Sequence, residues 1–145
     1  MTEAKLWSRM REVWKDELKM WRVENQAGVG LPDVHYLYEP NRITGWIELK
    51  YISTINQRIP LRKAQIGWHK EYAAGGGKSF VIVQAGGSSG IYCFEGRYAQ
   101  KITEQSLLSS VEMFYKARGN LPVSEYQSED LWKMARSKVQ GYSFW

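Results

Sequence analysis

The chain has 145 residues, enough for one domain with a buried core, and its seven Trp and nine Tyr residues supply large side chains to fill it. No apolar run approaches the length of a membrane span, and residues 1–21 alternate charged with apolar side chains, so we expect neither a transmembrane helix nor a signal peptide. Cys93 is the only cysteine, which excludes an intrachain disulfide and a four-cysteine zinc site and favours a cytoplasmic protein. The net charge of +5 suits a phosphate-rich partner.

Hydrophobic periodicity and the Gly and Pro positions predict one domain over residues 1–145. The predicted elements are a helix at 2–22, a short strand within 22–27, strands at 33–38 and 45–52, a helix at 61–74, strands at 79–84 and 91–94, and helices at 103–117 and 128–139. This order predicts the α/β class, with a mixed central β-sheet flanked by helices. We expect a core over residues 3–94 and a C-terminal helical extension over residues 103–145.

Two charged residues share one face of the strand predicted at 45–52. Glu48 and Lys50 are two residues apart, so both point to the face that Trp46 also occupies. Asp33 stands at the mouth of the neighbouring strand, directly after Pro32. Two carboxylates at adjacent strand ends form a hard-oxygen site that suits Mg²⁺, and Lys50 can orient a water molecule or neutralise a phosphorane.

The helices add two polar residues that fall on apolar stripes. Glu3 lies on the core-facing stripe of the first helix, and Glu17 falls near the same stripe. Gln65 lies on the stripe of the second helix with Leu61, Trp68 and Tyr72. A buried amide needs a hydrogen-bond partner, so Gln65 is expected to have a polar partner on that face.

The segment Gly30–Asp33 followed by Glu48–Lys50 resembles the signature of the PD-(D/E)xK nuclease superfamily. The downstream helical Gln65 and the upstream helical Glu3 look most like its VRR-NUC and Holliday junction resolvase branch. The resemblance covers residues 3–94 and implies a restriction-endonuclease-like core within a single nuclease domain.

The resemblance also implies roles for these residues. Asp33, Glu48 and the Leu49 carbonyl would hold Mg²⁺, with Mn²⁺ as a substitute and Glu3 as a further candidate ligand. Lys50 would serve the nucleophile, and Gln65 would support the water or a phosphate. The implied activity is endonucleolytic hydrolysis of branched or structured DNA that leaves a 5′-phosphate, in recombination, repair or replication and often by a homodimer.

Each of these residues also has a structural interpretation. Asp33 could cap the turn that Gly30 and Pro32 create. Glu48 and Lys50 could form an exposed cross-strand pair on an edge. Glu3 is favoured in a first turn by the helix dipole, and Glu17 is an alternative to it as the helical acid.

Basic residues surround the proposed site. The candidates for DNA contacts are Arg58, Arg62, Lys63, His69, Lys70 and Lys78, although a solvated helix face explains them equally well. His69 is assigned to the outward side of its helix. His35 shares the strand face of Asp33 and is interpreted as a structural strand residue, with a general-acid role as the alternative. With Cys93, the two histidines make no zinc site. The glycines at 75–77 end a helix and enter a strand, unlike a P-loop.

Two other functions remain open. A sequence-specific restriction-type enzyme would need a base-reading domain for which 145 residues leave little room. A non-catalytic binder of nucleic acid or protein would be expected to have lost the lysine or an acid of the site. Glu48 and Lys50 are both present, which argues against this function. The tail from Leu131 could bind DNA through Lys133, Arg136 and Lys138, but its dense aromatic residues favour packing against a neighbour, including a dimer partner.

Overall fold

The computed structural model describes residues 3–14, 16, 18–23, 30–39, 42–86 and 91–114. A short 3-10 turn, Gly96–Tyr98, joins the last strand to the helices that follow. The elements are α1 (Glu3–Trp14), β1 (Lys19–Arg22), β2 (Val34–Tyr38), β3 (Ile43–Ile52), α2 (Lys63–Ala74), β4 (Lys78–Ala85), β5 (Ile91–Glu95), α3 (Ala99–Thr103) and α4 (Leu107–Phe114).

The strands form one five-stranded sheet in the order β1-β2-β3-β4-β5. Neighbouring strands are antiparallel except β3 and β4, which are parallel. Parallel neighbours need a crossover, and α2 provides it. The predicted α/β class, with a mixed sheet flanked by helices, is therefore confirmed, and β3 lies at the centre of the sheet.

The two faces of the sheet carry separate cores. On one face, Leu6, Met10 and Trp14 of α1 pack against apolar side chains of β2 and β3, including Ile47 and Leu49. On the other face, side chains of β4 and β5 pack against Ile102, Leu107 and Val111 of α3 and α4. Because Ile47 and Leu49 enter the α1 core, alternation along β3 turns Trp46, Glu48 and Lys50 to the opposite face, as the sequence predicts.

The first predicted helix is too long. It ends at Trp14, and residues 19–22 form β1, which pairs with β2. Trp14 and Leu18 are both buried in the α1 core, and the Leu18 N–H donates to the Trp14 carbonyl at 2.9 Å. A single turn therefore keeps the apolar spacing of a helix although the chain is about to become a strand.

The helix predicted at 103–117 corresponds to α4, which begins only at Leu107, and α3 before it is not predicted by the sequence. Ser106 sets the start of α4, since its side-chain oxygen accepts a hydrogen bond from the Ser109 N–H at 3.1 Å and so caps the helix. The predicted helix at 128–139 and the aromatic tail lie outside the described residues. Within the described part of the chain, no helix is long and apolar enough to cross a membrane.

Candidate active site

Asp33, directly before β2, lies opposite Glu48 of β3. The register pairs Val34 with Ile47, which sets the preceding Asp33 across from Glu48. The Leu49 N–H donates a hydrogen bond to Asp33 Oδ2 at 3.0 Å. The described hydrogen bond of Asp33 therefore runs to the neighbouring strand instead of capping its own turn, and it fixes this carboxylate at the middle of β3.

Glu48 is buried, with 1% of its surface exposed. Burial raises its pKa to about 9, and Asp33 adds to this through a hydrogen bond to the protonated form and through its negative charge. Lys50 acts in the opposite direction and lowers this pKa. The Oε2 atom of Glu48 is buried and finds no hydrogen-bond partner among the described residues. In its ionised form the Glu48 carboxylate therefore has no donor at Oε2 among the described residues, whereas the protonated form can donate to Asp33.

Lys50 lies beside Glu48 on the same face of β3. Its Nζ is 3.8 Å from Glu48 Oε1, and only 13% of the Lys50 side chain is exposed. Since β3 is a central strand, the pair is not the exposed edge pair that the sequence also allowed. The ammonium is held close to the carboxylates and within reach of water.

Gln65 joins α2 to the site. Its Oε1 accepts a hydrogen bond from the Arg62 N–H at 2.8 Å, which satisfies a backbone donor at the start of α2. Its Nε2 donates to Glu48 Oε1. Because the first contact requires an oxygen, the amide orientation is defined and the donor must face Glu48. The prediction that Gln65 is buried against a polar partner is confirmed.

Gly30 sets the approach of the Asp33 segment to α2. Its φ is +83°, a left-handed conformation that favours glycine. A Cβ at this position would collide with the Ala64 carbonyl and come within 2.9 Å of the Gln65 nitrogen. The absence of a side chain therefore lets the loop before Asp33 pack against the helix turn that carries Gln65.

Glu3 reaches the same electrostatic environment from the first turn of α1. Partial burial raises the pKa of Glu3, and the charges of Lys50, Asp33 and Arg22 all act on it. The structure thus brings Glu3 toward the acids and Lys50, while the alternative acid Glu17 lies outside the described residues.

The donor set is compatible with Mg²⁺. No group of three or more His, Cys, Asp or Glu side chains that could hold a metal ion occurs in the described ranges. Two carboxylates are, however, the usual protein share of a Mg²⁺ shell, which keeps several water molecules. The unpartnered Glu48 Oε2 beside Asp33 is the feature that a cation would satisfy.

The basic residues predicted to contact DNA are distributed over several elements. Arg62, Lys63 and Lys70 are exposed on and before α2, and Lys78 is half-buried at the start of β4. Arg58 is exposed and forms an isolated β-bridge with Ser106, near the start of α4. Of these, Arg62 and Lys63 adjoin Gln65 in the chain.

His69 does not face outward, and its assignment as a DNA-facing residue is wrong. It is fully buried, its Nδ1 lies 2.8 Å from Ser79 Oγ, and burial lowers its pKa to about 4. Gln65 and His69 are four residues apart and form the buried face of α2. The sequence predicts that Trp68 and Tyr72 share the buried face of the helix with Gln65. Both rings are only half-buried, so the buried face is turned from them toward His69.

Five ring side chains form a continuous row that the sequence did not reveal. We call Trp21, His35, Trp46, Trp68 and Tyr72 the aromatic row. Its successive ring centroids are 5.8, 4.9, 6.3 and 4.6 Å apart. The row spans three strands and a helix, so only knowledge of the strand register could have indicated it. The Nε2 atom of His35 also lies 2.8 Å from Thr44 Oγ1, which is the structural role expected of this residue.

Comparison with known proteins gives one named structural similarity. No family model matches the chain, and no curated protein sequence matches it. Among solved structures, the Holliday junction resolvase Hjc of Archaeoglobus fulgidus, an archaeal hyperthermophile, is similar with a TM-score of 0.49 and 13% sequence identity. The match covers 72% of this chain and 95% of Hjc.

Proposed function

We propose that this protein is a Mg²⁺-dependent endodeoxyribonuclease that hydrolyses phosphodiester bonds in branched or structured DNA inside the cell, in recombination, repair or replication. One observation carries the proposal: Glu48 is buried opposite Asp33, next to Lys50, with a carboxylate oxygen that has no hydrogen-bond partner among the described residues. Burial disfavours the ionised form of Glu48, as its raised pKa shows, and a cation bound at Oε2 would supply the compensation that this form needs.

Asp33, Glu48 and the Leu49 carbonyl would hold the ion, as the resemblance implies. When bound, Mg²⁺ supplies Lewis-acid polarisation of the phosphodiester and stabilises the negative charge that develops in the transition state. Manganese, which also accepts carboxylate and water ligands, would substitute.

The side chains of this chain supply the rest. Lys50 presents an ammonium donor that can orient the attacking water or neutralise charge on the phosphoryl oxygens. Gln65 holds Glu48 in one orientation through its Nε2, and the start of α2 fixes Gln65 in turn. Glu3, whose pKa is raised by partial burial, is a candidate for moving a proton at the edge of the site.

The test measures cleavage of labelled four-way-junction, flap and linear duplex DNA, with Mg²⁺ and with EDTA. We expect cleavage of a branched substrate only with Mg²⁺, and a loss of about 100-fold or more in Asp33→Ala and Lys50→Ala. The matched controls are Glu104→Ala and Lys101→Ala, which alter an exposed acid and an exposed base beyond the site.

The proposal fails if the wild-type protein cuts none of these substrates, or if Asp33→Ala cuts as fast as the wild type. Discrete bands from plasmid DNA would instead indicate a sequence-specific enzyme. Retained DNA binding without Mn²⁺ binding would indicate a non-catalytic binder. A homodimer, which two symmetric cuts in a junction would require, is tested by sedimentation of the full chain.

A further inference from the structure

The aromatic row crosses the sheet on the same face as the candidate active site. Trp21 pairs in register with His35, and His35 pairs with Trp46. Trp46 then meets Trp68 of α2 at 6.3 Å. Residues directly opposite on one sheet face are cross-strand neighbours, so the row is a consequence of register and not of sequence proximity.

The row lies next to the carboxylates. His35 is two residues after Asp33 on β2, and Trp46 is two residues before Glu48 on β3. Two residues along a strand span about 7 Å, so each pair occupies neighbouring positions on one face. A strand of nucleic acid with its phosphate at Glu48 would have an adjacent base above these rings.

The row is accessible to a partner. Trp21 is 50% exposed at the edge strand β1, and the other four rings are half-buried. The side chains that surround the row on this face of β1, β2 and β3 are mixed in character, namely Lys19, Leu37 and Thr44. Because Trp21 is exposed beside basic and polar side chains, the row does not resemble the apolar centre of a protein–protein interface.

Ring chemistry identifies the class of ligand. Every nucleobase has a π-face, and stacking on Trp, Tyr or His is tolerant of sequence. Bases within a duplex already stack on each other, so only unpaired bases are free to use the row. The positive net charge favours the polyanionic backbone that such bases bring with them.

We propose that the aromatic row binds unpaired nucleobases of the strand that is cut, so that the substrate carries a single-stranded segment next to the scissile phosphate. The proposal rests on the proposed nuclease function and specifies its substrate class. A second copy of the chain packed on the row is the competing occupant, and the experiment distinguishes the two.

The experiment measures binding by fluorescence anisotropy in EDTA, which prevents cleavage. The probes are a labelled oligothymidylate of about 20 nucleotides, long enough for one such site, and a blunt duplex of the same length. The full chain is compared with Trp21→Leu, which keeps an apolar side chain but removes the ring, and with Trp21→Phe, which keeps a ring. Trp68→Leu tests a second position, and Met113→Ala removes an exposed hydrophobic side chain outside the row.

We expect the wild type to bind the oligothymidylate more tightly than the duplex. Trp21→Leu and Trp68→Leu should weaken oligothymidylate binding about tenfold, whereas Trp21→Phe and Met113→Ala should stay within about twofold of the wild type. Duplex binding should change little in any variant. Circular dichroism establishes that each variant is folded.

Equal binding of oligothymidylate by the wild type and both leucine variants overturns the proposal. So does a change from dimer to monomer in Trp21→Leu without weaker oligothymidylate binding, because the row would then contact a second copy. If the protein cleaves a four-way junction but its oligothymidylate binding does not depend on the rings, this inference is wrong and the nuclease proposal is unaffected. Ring-dependent binding by a protein that cuts no substrate overturns the nuclease proposal and reduces the row to a binding surface for single strands.

Discussion

The Glu48 carboxyl is buried between an amide donor, an ammonium group and another carboxylate. Its pKa is raised from 4.5 to about 9. Between these pH values the folded protein keeps a proton that the unfolded chain releases. The stabilising contribution of this group is therefore fully present below its unfolded pKa and is lost as the pH rises through 9.

Glu48→Gln should remove this pH dependence. The new side chain can still accept from Gln65 and offers an amide donor toward Asp33, so it is an uncharged substitute for the protonated acid. In EDTA above pH 9 we expect the variant to be more stable than the wild type by about 1 to 3 kcal/mol, with little difference near pH 5. Thermal unfolding across this pH range measures the difference.

Glu104→Gln is the control, because it removes an exposed acid remote from the site. Glu48→Gln should also abolish Mg²⁺-dependent cleavage while remaining folded. The interpretation of Glu48 as a buried acid would be wrong if the variant were no more stable than the wild type at any pH.

The residues of the candidate site were largely accessible from the sequence because they follow local periodicities. Glu48 and Lys50 are related by strand alternation, and Gln65 by the helical repeat of α2. His69 was misplaced because the side of α2 that packs on the sheet depends on Ser79 of β4, a contact that no local spacing contains. The aromatic row was missed for a similar reason, since only Trp68 and Tyr72 follow a local spacing and the other rings come together through strand register and the packing of α2 on the sheet.

At the scale of elements, the approach of the Gly30 loop to α2 determines how Asp33 and Gln65 meet. Gly30 and Gly76 both adopt a positive φ, of +83° and +89°. A Cβ at Gly30 would strike the backbone of Ala64, whereas a Cβ at Gly76 would meet nothing within 4 Å. Alanine substitutions at the two positions therefore share the cost of backbone strain, but only the one at Gly30 also displaces α2.

Gly30→Ala should cost more stability than Gly76→Ala, because both pay for strained backbone but only the first must move α2. We expect about 1 kcal/mol for Gly76→Ala and about 2 to 4 kcal/mol for Gly30→Ala. Gly67→Ala, inside α2 with open space around it, should instead stabilise the protein by roughly 0.5 to 1 kcal/mol. Urea unfolding of the three variants measures these differences. Equal costs at Gly30 and Gly76 would contradict the packing argument.

Element boundaries were less predictable than element types. The strands at β2, β3 and β4 were located within a few residues because turns and strongly apolar runs bound them. β1 was read as the end of the first helix, since Trp14 and Leu18 keep helical spacing through a turn. The start of α4 depends on the Ser106 cap, and a serine inside an apolar pattern does not by itself specify where a helix begins.

At the scale of the whole molecule, two buried ionisable groups give opposite slopes to stability as a function of pH. Glu48 makes the protein less stable as the pH rises toward 9. His69 has its pKa lowered from 6.5 to about 4 by burial, so the unfolded chain binds the proton more readily. Stability from His69 is present above its unfolded pKa and is lost as the pH falls through 4. The two slopes oppose each other at mildly acidic pH.

His69→Gln should therefore flatten the acid side of the stability curve while Glu48→Gln flattens the alkaline side. The glutamine keeps a polar partner for Ser79 but does not titrate in this range. Whatever its stability at neutral pH, the variant should gain up to about 3 kcal/mol relative to the wild type between pH 6.5 and 4, which is the free energy of protonating a histidine that folding keeps neutral. Urea unfolding at a series of pH values measures this gain, and His35→Gln, which leaves His69 in place, is the matched control. A parallel fall of wild type and His69→Gln over that range would show that acid sensitivity arises elsewhere in the molecule.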